Sequence, residues 1–415
     1  MGLFNSTDHN EGTVGSQDLH SGLPYWLVRN GIASTFPRLA EDVRADVVIV
    51  GGGITGALCN YSFSSAGLST VVVDGRSFGT GSTCASTALL QYEIDTPLIR
   101  LVDLVGERNA VAAYQLSVQA VDGLMATAQG IGFDGLTSRP SIQYASKSAH
   151  AKQLRKEFKL RQAHGMPVEL LDGKEAVRSV LPFAAAAALR CDTAAETDAL
   201  AFAQALHKAS VKNGARMFEH THVVEVNEVK SGVELRTEEG HLIRAKYMVY
   251  ATGYETIDTL PKDVVDLNST YAMISTPMDV EPWPDQALVW ETATPYLYMR
   301  TAPGGRIIVG GRDEPFRSPK LRDALLAKKA NALHRDFSKL FPETSFKTEF
   351  KWCGTFGSTK DGLPYIDSGP KTPHCFYALG MGGNGITFSA LAADLIRDRI
   401  LGRAVPDMDL FRFDR

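Results

Sequence analysis

The stretch Asp46-Val-Val-Ile-Val-Gly-Gly-Gly-Ile-Thr-Gly56 joins a short run of β-branched residues to a G-x-G-x-x-G turn. The run Val47–Val50 has the composition of a strand that is covered on both faces. Gly51 allows a tight turn, Gly53 lets backbone N–H groups approach a diphosphate, and Gly56 lets the following helix pack closely on the strand. The stretch therefore predicts a strand, a turn and a helix whose N-terminus binds the diphosphate of a dinucleotide.

A second apolar run supports this interpretation. Val71–Val73 ends in Asp74, which lies 18 residues beyond Gly56. That spacing is close to the one expected for a carboxylate that accepts hydrogen bonds from a ribose. The alternative is an ordinary strand and turn followed by a solvated aspartate.

Length and composition indicate a globular protein. The 415 residues suggest two or three domains, and we take two as the working number. A hydrophobic content of 44% provides for a sizeable core. The net charge of −4, without a strongly basic block, offers no electrostatic footprint for nucleic acid. We predict no metal site, because no cluster has metal-ligand spacing.

The cysteines and the termini indicate the compartment. The five cysteines form no C-x-x-C pair, which is typical of reduced thiols in a cytoplasmic protein. The N-terminal residues lack the regions of a signal peptide, and no apolar run approaches the roughly 20 residues that span a bilayer. Residues 1 to about 22 are polar and rich in Gly and Ser, which predicts a poorly ordered arm.

Three further segments match a site for a large flat ligand. Residues 75–87 are small or hydroxylated, and they suit a backbone that lies against the ligand and offers N–H and O–H donors. A flexible surface loop is the alternative. The apolar run Tyr247–Tyr250 leads into Ala251–Gly253, where the chain must turn beneath the ligand. Phe376–Gly380 leads into a second glycine loop and a helix N-terminus, which is another site for an anion or a carbonyl oxygen.

Residues 262–349 are rich in Tyr, Trp and β-branched positions, which predicts an antiparallel sheet. Segments that we predict to bind the ligand flank this region in the sequence, so we predict that the region is a second domain inserted into the first. The predicted fold class is α/β (α+β overall), with a Rossmann-like dinucleotide-binding domain and an inserted antiparallel β-sheet. The predicted boundaries are 1–43 for an N-terminal arm, 44–128, 190–261 and 350–415 for the dinucleotide-binding domain, and 129–189 and 262–349 for the substrate-binding domain.

From about residue 24 to 402 these segments resemble the flavin-dependent amine oxidoreductase superfamily that includes D-amino acid oxidase, glycine oxidase and sarcosine oxidase. Within it the chain is most similar to gamma-glutamylputrescine oxidoreductase and its bacterial relatives. That closer resemblance rests on Tyr25–Leu27, Gly51–Gly56, Tyr298–Arg300, Gly305–Gly311 and Thr359–Pro364.

The resemblance implies FAD, and we predict that it is bound without covalent attachment. The resemblance puts the diphosphate at the glycine turn, a ribose at Asp74, the adenine at the backbone of Val223 and the flavin's pyrimidine oxygen at the second glycine loop. The predicted cofactor-binding residues are Gly51, Gly53, Ile54, Thr55, Gly56, Asp74, Gly75, Arg76, Gly81, Ser82, Thr83, Ser86, Thr87, Val223, Ala251, Thr252, Gly253, Gly383, Asn384, Gly385, Ile386 and Thr387.

Two positions differ from the sarcosine-type oxidases. Those enzymes use a lysine next to the flavin to activate oxygen, and the corresponding strand here carries Ile308. The electron acceptor is therefore oxygen or another, unknown acceptor. They also attach the flavin to a cysteine upstream of an aspartate, but the spacing from Cys353 to Asp361 is one residue longer. We interpret Cys353 as a packed core thiol.

The predicted activity is oxidation of a C–N bond in a small primary or secondary amine or amino acid, with hydride transfer to the flavin. One alternative is a flavin dehydrogenase of a 2-hydroxy acid or a polyol phosphate. Another is a non-catalytic flavoprotein that senses redox state. A nicotinamide-dependent reductase is disfavoured, because a single glycine fingerprint is present for two dinucleotides.

The candidates for substrate binding and catalysis lie mostly in the predicted sheet. Arg300, and secondarily Arg312, could grip a carboxylate as a bidentate fork, with a structural ion pair as the alternative. Lys360 is a candidate for influencing oxygen or substrate. Tyrosines that could line the path of the amine, with plain core as the alternative, are Tyr254, Tyr296 and Tyr298. The alternating histidines of the strand near the adenine, interpreted as structural, are His220 and His222.

Overall fold

The computed structural model describes residues 18–32, 34–255, 265–279, 281–369 and 372–415. The strands are β1 His20–Gly22, β2 Val43–Val50, β3 Thr70–Val73, β4 Leu89–Gln91, β5 Leu136–Ser138, β6 Ser141–Tyr144, β7 Glu169–Asp172, β8 Ala187–Cys191, β9 Ala194–Thr197, β10 Arg216–Phe218, β11 Val223–Val229, β12 Gly232–Thr237, β13 Leu242–Tyr250, β14 Asp266–Ser275, β15 Leu288–Glu291, β16 Tyr298–Ala302, β17 Arg306–Glu314, β18 Thr348–Ser358, β19 Tyr365–Gly369 and β20 Thr372–Leu379. The helices are α1 Tyr25–Asn30, α2 Ile54–Ser65, α3 Ser82–Ala85, α4 Leu98–Val105, α5 Glu107–Ile131, α6 Ala151–Ala163, α7 Lys174–Arg178, α8 Ala199–Lys212, α9 Pro319–Leu340 and α10 Gly385–Ile400, with short 3-10 helices at Ser148–His150, Pro284–Gln286 and Pro406–Phe411.

One sheet, here called the dinucleotide sheet, has the strand order β10-β3-β2-β13-β12-β11, and β20 pairs with β13 and β19. β10, β3, β2, β13 and β20 run parallel to one another. Val47 and Ile49 of β2 pack into an apolar cluster on one face of this sheet, and Val48 packs into another on the opposite face. This is the two-sided burial that the β-branched run predicts.

Helices cover one face of the dinucleotide sheet. α2 contacts both α8 and α10, and α10 also contacts α5. Phe63 of α2, Phe202 of α8 and Ile396 of α10 lie in the same apolar cluster. No helix among the described residues combines the length and the apolar character that a membrane crossing requires.

A second sheet, here called the large sheet, has the order β1-β18-β14-β17-β16-β15-β6-β8-β7. Its neighbours are antiparallel except for the parallel pair β15 and β6. Leu333 and Phe337 of α9 pack against Tyr271 and Met273 of β14 on one face. A third, small sheet has the strand order β4-β9-β5. The mixed α/β class that the sequence predicts is confirmed.

The strand pairing departs from the predicted boundaries in two places. The sequence predicts that residues from 350 onwards belong to the dinucleotide-binding domain, but β18 pairs with β14 from Ser275↔Thr348 to Asp266↔Ser358 and so belongs to the large sheet. His20–Gly22, predicted as part of a poorly ordered arm, pairs with β18. Strand composition does not reveal a strand's partner, which explains both differences. Residues 1–17 of the predicted arm lie outside the described residues.

Candidate functional site

A cavity of about 1000 Å³ lies between the carboxyl ends of the parallel strands and the large sheet. The dinucleotide sheet contributes Gly51 after β2, Asp74 after β3 and Ala251 after β13, and the large sheet contributes Tyr298 and Asp313. Ligands of open parallel sheets bind in the crevice at the carboxyl ends of the strands. The volume is at the upper end of the roughly 300–1,000 Å³ of small-molecule sites.

Glycines let the turn between β2 and α2 fold tightly. Gly51 has a φ of +109°, which glycine adopts more readily than other residues. A Cβ atom at Gly56 would stand 1.9 Å from the carbonyl oxygen of Gly51, and one at Gly51 would stand 2.4 Å from the carbonyl oxygen of Ala251. α2 begins at Ile54 with Gly53 as its N-cap. The helix N-terminus therefore opens on the cavity, which suits a diphosphate.

Asp74 is tied to the same turn. Its Oδ2 accepts a hydrogen bond from the Gly52 N–H at 2.7 Å, and its Oδ1 accepts one from the Arg76 N–H at 2.8 Å. Burial is the largest effect and raises the pKa of Asp74, while the two N–H bonds act in the opposite direction. Each carboxylate oxygen has a second lone pair, so Asp74 can still accept a hydrogen bond from a ribose hydroxyl.

The loop that follows supplies hydroxyl groups to the cavity wall. Thr83 Oγ1 accepts a hydrogen bond from the Ile54 N–H at 2.9 Å. Ser82 also lines the cavity, and its hydroxyl is buried without a hydrogen-bond partner among the described residues. Since buried polar groups are normally paired, the Ser82 hydroxyl is suited to a polar group of a ligand.

At the other end of the cavity, hydrogen bonds hold the second glycine loop to residues 91–95. The Gly383 N–H donates to Asp95 Oδ2 at 2.9 Å, and the Tyr296 hydroxyl donates to Asp95 Oδ1 at 2.9 Å. Asn384 Nδ2 donates to the Glu93 carbonyl oxygen at 2.7 Å. The loop before α10 is therefore fixed by side chains distant in sequence.

Asp313, near the end of β17, is the second aspartate at this end. Its Oδ1 is buried and has no hydrogen-bond partner in the described part of the chain. Burial raises the pKa of Asp313 to about 6, and the charge of Asp95 contributes to the rise. Burial also raises the pKa of Tyr298 and of Tyr254 to about 12, so both hydroxyls stay protonated at neutral pH.

Residues 46–399 match the family described as FAD dependent oxidoreductase, DAO. The chain belongs to this family. It is 26% identical over 372 residues to glycine oxidase from Geobacillus kaustophilus, covering 86% of this chain and 93% of that protein. It is 22% identical over 390 residues to gamma-glutamylputrescine oxidoreductase from Escherichia coli, covering 92% and 89%.

The fold of this DAO-family chain is similar to that of a solved relative. The crystal structure of glycine oxidase from Geobacillus kaustophilus aligns with a TM-score of 0.73 at 23% sequence identity, covering 88% of this chain and 96% of that one. The superfamily, the enzyme class and the FAD cofactor that the sequence predicts are thereby confirmed. Of the two named relatives, the glycine oxidase has the higher sequence identity, although the sequence resemblance favoured the other.

The residues of this DAO-family cavity fit FAD. The N-terminus of α2 would hold the diphosphate, Asp74 would hold a ribose, and the unpartnered Ser82 hydroxyl would meet a polar group of the cofactor. The predicted cofactor-binding residues that line the cavity are Gly51, Gly53, Ile54, Thr55, Asp74, Gly75, Arg76, Gly81, Ser82, Thr83, Ser86, Thr87, Val223, Ala251, Thr252, Gly253, Gly383, Asn384, Gly385 and Ile386. Their individual contacts with FAD stay predictions.

Two of the predicted cofactor residues lie behind the wall. Gly56 packs beneath the Gly51 carbonyl group, where it sets the distance between α2 and β2. Thr387 is buried, and its Oγ1 donates to the Gln91 carbonyl oxygen at 3.1 Å. Both residues support the cavity from outside.

Arg300 does not line the cavity, contrary to its predicted role in gripping a substrate carboxylate. Its side chain is 1% exposed. Nε donates to the Thr87 carbonyl oxygen at 2.7 Å, Nη2 donates to the Thr197 carbonyl oxygen at 2.7 Å, and Nη1 pairs with Glu196 at 3.1 Å. The guanidinium also lies over the Trp26 ring. Arg300 is thus a structural ion-pair residue, which was the alternative interpretation.

Arg312 and Lys360 also lie away from the cavity. Arg312 is exposed and pairs with Asp336 of α9. Lys360 is exposed, and its Nζ donates to the Arg415 carbonyl oxygen at 2.8 Å. Neither position suits contact with substrate or oxygen, because both side chains point to the surface.

The other candidate residues lie in the cavity wall or next to it. Tyr254, Tyr296 and Tyr298 line the cavity. Cys353 packs in the apolar cluster beneath α9, while its β18 neighbours on either side line the cavity, as expected for a core thiol. His222 lines the cavity wall, unlike His220, whose Nε2 lies 3.2 Å from Ser77 Oγ.

Three carboxylates at the end of the cavity away from α2 were missed in the sequence. Gln91, Glu93 and Asp95 line the cavity, whereas Tyr92 and Ile94 between them are buried in the core. This alternation is a local signal that would have found the first two carboxylates. The third is Asp313, for which no local pattern exists, because its position depends on how the large sheet packs.

Proposed function

We propose that this enzyme oxidises a C–N bond of a small primary or secondary amine or amino acid. Membership of the DAO family and the activities named for its relatives support the proposal. The observation that carries it is the convergence of carboxylates and tyrosines at the end of the cavity away from α2. Carboxylates attract an amine, and the half-buried tyrosines around it exclude water.

In the balanced reaction, the carbon next to nitrogen loses a hydride and the nitrogen loses a proton, so the C–N bond becomes an imine. Water then splits the imine into a carbonyl compound and ammonia or an amine. FAD, when bound, supplies the acceptor for the hydride. A hydride leaves most readily from a neutral amine, so a proton acceptor near the nitrogen is needed.

Asp313 is placed for that role. Its pKa of about 6 leaves it mostly ionised at neutral pH, and its Oδ1 has no competing hydrogen bond within the described ranges. A base with a pKa near the working pH is efficient in proton transfer. α10 begins at the cavity with Asn384 as its N-cap, so its positive end favours negative charge there.

We also propose that the reaction takes place in the cytoplasm. All five cysteines are free and buried, which is typical of a reducing compartment. Detection of the protein in an oxidising, extracellular fraction of its source cells would contradict this proposal.

An anaerobic spectral titration of the purified holoenzyme tests the activity. The ligands are gamma-glutamyl amines, N-methyl and D-amino acids, and 2-hydroxy acids, followed by admission of air. We expect an amine to bleach the oxidised-flavin band. Rapid recovery in air would identify an oxidase, and slow recovery a dehydrogenase. Bleaching by 2-hydroxy acids alone would show that the enzyme oxidises C–O bonds instead.

A further inference from the structure

Carboxylates line both ends of the cavity, and Asp74, Glu238 and Glu255 lie at one of them. Arg76 is the one arginine or lysine that lines the cavity within the described residues, and its guanidinium pairs with Glu255 near Asp74. At the opposite end the wall contains Glu93, Asp95 and Asp313, and no arginine or lysine of the described residues lies in it. The end where substrate would react is therefore acidic.

Asp95 is held in a fixed position at this end. It accepts hydrogen bonds from the Tyr296 hydroxyl and the Gly383 N–H, each at 2.9 Å. These donors come from the large sheet and from the loop before α10. Each oxygen keeps a lone pair for a further donor. The carboxylate is thus oriented before any substrate arrives.

Two other carboxylates have oxygens that nothing in the described structure satisfies. Asp313 Oδ1 is buried without a hydrogen-bond partner. Glu93 is 4% exposed and its Oε1 pairs with the buried Arg161 at 3.9 Å, but its Oε2 lacks a hydrogen-bond partner among the described residues. Buried polar atoms of this kind are rare in native proteins and indicate a missing hydrogen-bonding group. An ammonium group, with three donors and a positive charge, satisfies such oxygens best.

No arginine or lysine of the described residues lines this end of the cavity to pair with a substrate carboxylate. Arg300 is engaged with Thr87, Glu196 and Thr197, and Arg312 is on the surface. A carboxylate bound there would leave water and approach charges of its own sign, both of which are unfavourable.

We infer that the substrate is a diamine or polyamine that has no carboxylate on the carbon next to the reacting nitrogen. The inference rests on the proposed C–N oxidation and specifies its substrate class. One nitrogen reacts in its neutral form. A second, charged ammonium group is held by the acidic wall, where Asp95 and the Oε2 atom of Glu93 are its principal partners, and Asp313 accepts the proton of the reacting nitrogen.

Matched ligands test the inference in the same anaerobic titration of the holoenzyme. Cadaverine and lysine differ by one carboxylate, and cadaverine and pentylamine differ by one ammonium group. We expect cadaverine to bleach the flavin band at lower concentration than pentylamine, and lysine to leave it oxidised. Bleaching by lysine or another amino acid, but not by cadaverine, would overturn the inference while C–N oxidation stands. If no amine reduces the flavin, the proposed activity is wrong and the inference with it.

Variants locate the ammonium site. Asp95→Asn removes a charge and retains the shape of the side chain, and we expect it to raise the KM for cadaverine about tenfold or more. The KM for pentylamine should change less, because it has no second ammonium group. Asp122→Asn, on the exposed side of α5, makes the same charge change at a remote site and serves as the control. An equal KM for cadaverine in all three proteins, at unchanged FAD content, would refute the assignment to Asp95.

Discussion

Among single residues, His207 makes the stability of the fold around the glycine turn depend on pH. It is fully enclosed, with its ring centroid 4.8 Å from that of Phe78. Its Nε2 donates to the Gly52 carbonyl oxygen at 3.0 Å. Burial, the largest effect, lowers the pKa of His207 from 6.5 to about 4. The folded state therefore requires a neutral imidazole beneath the turn.

Below pH 6.5 the unfolded chain binds a proton at His207 that the folded chain does not bind until about pH 4. Stability from this residue is therefore complete above pH 6.5 and is lost as the pH falls towards 4. We expect a loss of about 1 kcal/mol between pH 7 and 5.5. His207→Gln keeps an N–H donor without titrating, so its free energy of urea unfolding should fall less over this interval. An equal fall in the free energy of unfolding in both proteins would contradict the assignment of this pH dependence to His207.

At the level of elements, the distance between β2 and α2 decides whether the diphosphate site forms. The backbone of Gly51 occupies the space where a side chain at Gly56 would lie. The neighbouring atom belongs to the backbone of the turn itself. A clash there cannot be relieved by rotating a side chain, so it must move the helix or the strand.

We expect Gly56→Ala to lower the free energy of unfolding by about 1–3 kcal/mol, as overpacking of a core does. It should also reduce the FAD content of the purified protein. Gly123→Ala is the matched control, because a Cβ at Gly123 in α5 meets nothing within 4 Å. The control should gain about 0.5–1 kcal/mol from better helix propensity. Urea unfolding and flavin absorbance measure both effects. Normal FAD content in Gly56→Ala would show that the packing distance is not critical.

For the whole molecule, Arg300 joins parts of the chain that are far apart in sequence. It belongs to β16 of the large sheet, pairs with Glu196 of β9 in the small sheet and binds the carbonyl group of Thr87 in the cofactor loop. A buried guanidinium with these partners holds three units in one arrangement.

We expect Arg300→Ala to cost about 3–5 kcal/mol, since it leaves the buried Glu196 charge with fewer partners. Arg312→Ala removes an exposed ion pair and should change stability by about 1 kcal/mol or less. Comparison of the urea midpoints and slopes of the two variants measures the difference. Similar midpoints would mean that Arg300 does not link the sheets energetically.

Much of the cofactor site could be predicted because its requirements are local. The position of Gly51, the helix start at Ile54 and the carboxylate after β3 each depend on a few consecutive residues. The alternation in residues 91–95 is also a local pattern, and it could have predicted the side chains that line the cavity. The pairing of β18 with β14 could not be predicted from the sequence, because partners in a sheet are selected by packing over the whole fold.

The sequence by itself determined the β2–turn–α2 unit and the FAD family, since glycine conformations and β-branched burial are properties of the residue types themselves. The tertiary structure alone decided which side chains reach the substrate. Tyr298 and Arg300 are two residues apart on β16 and share a face, yet Tyr298 lines the cavity while Arg300 is covered by β9 and the loop at Thr87. What covers a strand comes from distant parts of the chain, so the residues around Arg300 carry no information about it.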